Sequence, residues 1–297
     1  MDLAVVLSGL GLALYAMSFL ICITMITLIV HRIRPLRANV AIFLVCNTYL
    51  CCFLVSAMML LMYSYTLRGN LDPSAFFGGH WCRMRTYLAN VSFGSLYYSF
   101  VLQAVFRLFR IVFYRHKFLQ SFGACIIGIA MQWILTFLFV LPNLLFDDFQ
   151  YLAFEYNCWI AFQNIRGLLI AMAVLFNNPL SIIFTIYTQI IRYTRRTAHR
   201  NRGRKTANQR DLAVLKRILI LVLIIVVIGL PTVVVILIYM ISNQVIPYAY
   251  HIQGLSIALG VLMASVSLVF VTPQIQQMFT QTQTQIHPHQ TMTRTVN

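Results

Sequence analysis

The chain has 297 residues, of which 60% are hydrophobic and only 9% are charged. Soluble domains carry about 25% charged residues, so an ordinary water-soluble fold is excluded. A transmembrane β-barrel is excluded too, because long apolar stretches such as Leu212 to Ile241 lack the alternation of barrel strands.

A helix needs about 20 predominantly apolar residues to cross the hydrocarbon core. Spans are predicted near 4–30, 39–66, 81–113, 120–145, 165–192, 212–242 and 247–272. The first follows Asp2 without a basic leader and is too long for a signal-peptide core, so it is expected to stay as a signal anchor. Residues 67–80 carry Gly69, Asp72, Pro73, Gly78 and Gly79 and read as a turn-rich loop. Residues 146–164 form a longer loop bearing Asp147, Asp148, Glu155 and Cys158, and residues 193–211 form a strongly basic one. After Pro273 the sequence turns polar and repetitive, as a disordered tail does. The expected organisation is one all-α membrane domain over 1–273, a seven-helix bundle, with a cytoplasmic tail over 274–297.

The net charge of +16 invites a nucleic-acid reading, but its distribution argues against one. Arg32, Arg34 and Arg37 follow the first span; Arg107, Arg110, Arg115 and Lys117 follow the third; ten Lys and Arg residues from Arg192 to Arg217 join the fifth and sixth. The opposite loops hold only Arg68, Arg83, Arg85 and Arg166. Lys and Arg accumulate on the cytoplasmic side, so the amino terminus is expected outside and the carboxyl terminus inside. The cations then meet anionic membrane lipids, at about 1 kcal/mol per residue near the surface. No nucleic-acid partner is expected.

Of seven cysteines, Cys22, Cys46, Cys51, Cys52 and Cys125 fall inside spans, where a thiol is a small apolar group. Cys82 and Cys158 are left on the outer, oxidising face. A disulfide between them ties the outer end of the third helix to the second outer loop.

These features together resemble the rhodopsin-like family of G-protein-coupled receptors. Arg107 lies twenty-five positions after Cys82, as the family's arginine does at the inner end of the third helix. Trp133 and Pro142 match landmarks of its fourth helix, Pro179 and Tyr187 those of its fifth, and Pro231 and Asp211 those of its sixth. The departures are as specific. Arg107 is framed by Phe106 and Leu108 in place of an acid and a tyrosine, the first helix lacks the family's asparagine, and Asn47 is the nearest polar candidate where the second helix has an acid. Gly229 stands where members commonly carry a tryptophan toggle, and Thr272-Pro273-Gln274-Ile275-Gln276 replaces an Asn-Pro motif ending in tyrosine. The family's sodium pocket and tyrosine switch are therefore not expected, and the chain reads as a divergent member.

The resemblance implies a multi-pass receptor of the plasma membrane that passes an extracellular ligand's binding to a heterotrimeric G protein. Arg107 either snorkels beside Arg110 or acts as a switch paired with Asp211, the acid predicted on the cytoplasmic side. Pro179 and Pro231 are expected to kink their helices. Tyr187 either anchors at the interface or reaches Arg107. Pocket candidates are Tyr87, Asn90 and Phe93 on the third helix, Asn177 and Asn178 on the fifth, Thr232 on the sixth, and His251 and Gln253 on the seventh; the asparagines alternatively bond across helices. Ala89 stands where amine receptors place an aspartate, and the seventh helix has no lysine, so a biogenic amine and retinal are both disfavoured against a peptide or an apolar small molecule. The outer acids either attract a cationic ligand or are solvated loop charges. Catalysis is not expected, since the spans contain no Asp or Glu and His251 stands alone, and neither a cofactor nor a metal is expected. A transporter or channel is the alternative, weakened by the absence of intramembrane ionisable clusters and visible repeats.

Overall fold

The computed structural model describes residues 3–32, 40–72, 77–198, 226, 229–231, 233–242, 244 and 248–271. Helices α1 (Leu3–Arg32), α2 (Val40–Leu71) and α3 (His80–Ile111) lead through a 3-10 turn at Lys117–Gln120 to α4 (Phe122–Leu145). A hairpin of β1 (Phe149–Leu152) and β2 (Asn157–Ile160) precedes α5 (Ile165–Met172), which passes through a π-helical turn at Ala173–Asn177 into α6 (Asn178–Ala198). Then come α7 (Gly229–Ser242) and α8 (Ala249–Val271). Asp211, Thr232 and Pro273 lie outside the described residues.

Five helical runs are long and apolar enough to cross a membrane: Leu3–His31, Val40–Leu71, Phe122–Leu145, Ile165–Thr194 and Ala249–Phe270. Their outward side chains, including Ile127, Met131, Ile134 and Leu138 of α4 and Phe184 of α6, are exposed. So continuous an apolar surface suits hydrocarbon and not water. The chain is a membrane protein. The described part of α7 is apolar but shorter.

The long helix that does not qualify is α3, and its position explains why. It packs against α2, α4, α6 and both strands, and it buries Thr86, Asn90, Ser92, Ser95, Ser99 and Gln103. A helix surrounded by protein meets little lipid, so its faces are free to be polar. Arg85, expected among the loop cations, is buried there too, its guanidinium 3.9 Å above the Tyr65 ring of α2.

Polar contacts join the other helices: Ser56 donates to Ser18 at 3.0 Å, and the Tyr15 hydroxyl donates to the Gly254 carbonyl at 3.2 Å. Each such bond is worth roughly 0.6 kcal/mol in a bilayer. Tyr63 of α2 fits between α1 and α8 only because both present glycine. A Cβ on Gly11 would lie 2.3 Å from its ring and one on Gly254 1.8 Å from its hydroxyl.

The fifth span shows how Pro179 is accommodated. A proline has no N–H to give the carbonyl one turn back. The backbone widens into the π-helical turn immediately before it, a common relief for such a mismatch. The Tyr98 hydroxyl of α3 donates to the Val174 carbonyl at 3.3 Å and accepts from the Asn178 amide at 3.1 Å, re-satisfying the opened segment.

Candidate functional site

One end of the bundle is covered by the hairpin, whose antiparallel strands pair Phe149 with Ile160 and Tyr151 with Cys158. Cys158 is bonded to Cys82 of α3, and Thr86 of α3 donates to the Cys158 carbonyl at 2.7 Å. The acids before the hairpin fasten the same lid. Asp147 pairs with Arg83 of α3, while the buried Asp148 takes Arg166 of α5 at 2.6 Å and the Asn164 amide at 2.8 Å. Gly167 makes this second clasp possible, since a Cβ there would come 2.7 Å from that of Asp148. Asp147 and Asp148 thus hold structure instead of waiting for a cationic ligand.

Beneath the hairpin lies a cavity of about 140 Å³ whose walls include Phe93 and Tyr97 of α3, Trp159 of β2, Phe176 of the π turn, Gly229 of α7 and Gln253 of α8. Asn90 and Ser256 add two further polar points. Gly229 lets its neighbour come close, because a Cβ there would stand 2.9 Å from Phe176 Cζ and the ring would have to shift. Phe176, edge-on to Tyr97 at 5.7 Å, fills space that a tryptophan at position 229 would need. A smaller compartment of about 60 Å³ shares Trp159, Gln253 and Ile257 with the first. It contains Glu155, whose Oε1 is 2.9 Å from His251 Nδ1; His251 Nε2 lies 3.2 Å from Ser8 Oγ of α1.

The cavity brings together some of the predicted pocket residues and not others. Asn90, Phe93 and Gln253 line it. His251 faces the smaller compartment. Tyr87 turns away and donates to the Phe137 carbonyl of α4 at 3.0 Å. Asn177 and Asn178 are exposed on the outer side of the fifth span and line neither compartment. Their placement follows from the π turn, which puts an extra residue into one turn and rotates what surrounds it by about 100°. Tyr97, Trp159, Phe176 and Glu155 are lining residues that helical periodicity did not single out. For Trp159 there was a signal, since the neighbour of a cysteine tied to α3 has to lie over the bundle.

At the other end of α3, Arg107 is half-buried, and Tyr187 of α6 turns its hydroxyl towards the guanidinium. Tyr187 is only 2% exposed, which removes the reading of an interfacial aromatic anchor. Pro231 lies in the first described turn of α7.

Midway between the two ends, neutral amides occupy the core. The Asn47 amide donates to Gln132 at 3.1 Å and its oxygen accepts from Trp133 at 3.4 Å, while Gln132 donates to the Ser95 carbonyl at 2.9 Å. Gln103 donates to Thr48 at 2.6 Å. These bonds join α2, α3 and α4 through neutral side chains and a backbone carbonyl.

A comparison with curated proteins gave no significant match. The family model described as the seven-transmembrane receptor of the rhodopsin family matches residues 23–273, from within α1 to just past α8. The lidded cavity, the staple to α3 and the arginine at the far end of the same helix lie within that matched region: the chain belongs to the rhodopsin family of seven-transmembrane receptors.

Proposed function

We propose that this chain is a plasma-membrane receptor that takes an apolar or peptide ligand in the cavity beneath the hairpin and passes its binding to a heterotrimeric G protein. In this reading the hairpin end is extracellular and the Arg107 end cytoplasmic, which is also the orientation favoured by the flanking cations. The observation that carries it is the placement of both sites on α3: Phe93 and Tyr97 line the cavity, and three turns further on the same rigid helix presents Arg107 beside Tyr187. Movement of α5–α6 or α7 against α3, driven by a ligand wedged under Phe176, would alter the Arg107–Tyr187 contact and open a groove for a partner helix.

Pairing of Arg107 with Asp211 would oppose that opening in the resting state. The basic segment 193–211 and the inner ends of the third, fifth and sixth spans would form the G-protein surface, and residues 274–297 a cytoplasmic tail. A ligand screen of peptides, lipids and small molecules in cells carrying a promiscuous G protein tests the reading, with Arg107→Ala as control. The expected result is ligand-driven nucleotide exchange that Arg107→Ala lowers while surface expression stays normal. Exchange insensitive to Arg107→Ala would reduce the arginine to a snorkelling cation and remove the mechanism.

A further inference from the structure

The main cavity does not end at the helices that surround it. A second, wholly apolar cleft of about 200 Å³ lies between α5 and α7 and shares Leu168, Met172, Val233 and Ile236 with the cavity wall. Its outer rim is Leu169, Leu237 and Met240, with Leu169 59% and Leu237 51% exposed. Leu169 lies on a helical run long and apolar enough to cross a membrane and Leu237 on the shorter apolar α7, so their outward-facing side chains at that rim suit lipid. The route from the hairpin end is fastened instead, by the Cys82–Cys158 bond, the Asp148–Arg166 clasp and the Phe162 ring, which lies tilted with its centroid 4.4 Å from that of Tyr250.

The polar content of the cavity narrows the occupant. Among the described residues no charged side chain lines either space, and Glu155 of the adjoining compartment already faces His251, so a buried ionised head would lack a partner at high cost. Gln253 is buried, borders the cavity and makes no side-chain hydrogen bond to any described residue. A buried amide without a partner is uncommon and marks a place where a ligand supplies one.

We propose that the cavity takes a neutral single-chain lipid, of the monoacylglycerol kind, which arrives from the bilayer through the α5–α7 cleft and bonds its head to Gln253. The inference rests on reading the cavity as the receptor's ligand site and adds the ligand class and its route.

The test uses the full chain in lipid nanodiscs containing a monoacylglycerol with a photoreactive diazirine at the end of its chain. Expected adducts fall on cavity residues such as Leu175, Phe176 and Val261. Plugging the rim with Leu169→Trp and Leu237→Trp together should slow their appearance about tenfold, as a raised access barrier does. Gln253→Leu should lower the final yield, and a fatty-acid probe of equal chain length should label less than the neutral one. Adducts confined to lipid-facing residues would overturn the ligand class. Cavity adducts at an unchanged rate in the plugged variant would overturn the route, and equal labelling by the fatty acid would overturn the neutral head. None of these readings uses a G protein, so a failure here is distinguishable from a failure of the signalling assay, in which Arg107→Ala decides.

Discussion

Replacing Cys82 and Cys158 together by serine removes the staple between α3 and the hairpin, and the size of the effect depends on what the staple constrains. The bonded residues are 76 positions apart in sequence, and a free chain of that length would gain about 4.5 kcal/mol of closure entropy from the bond. That figure overstates the case, because α4 stays inserted in the membrane whether or not the hairpin is docked. The segment actually released is the roughly dozen residues between Leu145 and Cys158, for which the same relation gives about 3 kcal/mol. The shorter loop governs.

Hydrogen exchange on the β1 and β2 amides reads this directly. A loss of 3 kcal/mol raises the open population about 150-fold, since 1.4 kcal/mol is tenfold. Exchange in the buried turns of α2 and α3 should hardly change. An increase below about tenfold would mean that the Asp148–Arg166 clasp and the burial of Phe149 and Ile160 already hold the lid. Acceleration spread evenly through the bundle would refute the idea that the staple acts on the hairpin alone.

Tyr187→Phe removes the hydroxyl facing Arg107 and should lower agonist-driven nucleotide exchange severalfold, about 1 kcal/mol of coupling, without lowering surface expression. Asp211→Asn should raise basal signalling relative to wild type; no rise would refute the proposed resting pair. Gly229→Leu drives side-chain atoms into the Phe176 ring and should cost about 1–3 kcal/mol of stability, measured as thermal inactivation in detergent; adding Phe176→Ala should recover most of it. Gln132→Leu strands the Asn47 amide and the Ser95 carbonyl and should destabilise by about 1–2 kcal/mol in the same assay.

The lengths of most helices and the Cys82–Cys158 bond were legible because they depend on quantities a sequence carries: apolar run length and the position of two thiols relative to the spans. The lining of the cavity was legible only in part. Asn90, Phe93 and Gln253 could be placed by helical periodicity, whereas Asn177 and Asn178 could not, because the π turn ahead of Pro179 shifts the phase at just those residues. Pro179 signals a disturbance but not its form; the π turn is supported by Tyr98 of another helix bonding the freed Val174 carbonyl. Trp159 and Glu155 reach the interior from the hairpin that covers the bundle, outside the spans on which the helical reading rested. Hydropathy likewise undervalues α3, since it measures suitability for lipid and α3 is buried in protein.

That last feature bears on how the chain reaches the membrane at all. A segment carrying Arg85, Asn90, Gln103 and a run of buried serines partitions poorly by itself. Its polar groups meet Thr48 of α2, which accepts from Gln103, and Gln132 of α4, which donates to the Ser95 carbonyl, so its insertion is expected to be coupled to that of α2 and α4. Lesions at those amides should therefore surface first as chain that fails to integrate and is degraded, and only in the surviving fraction as altered function.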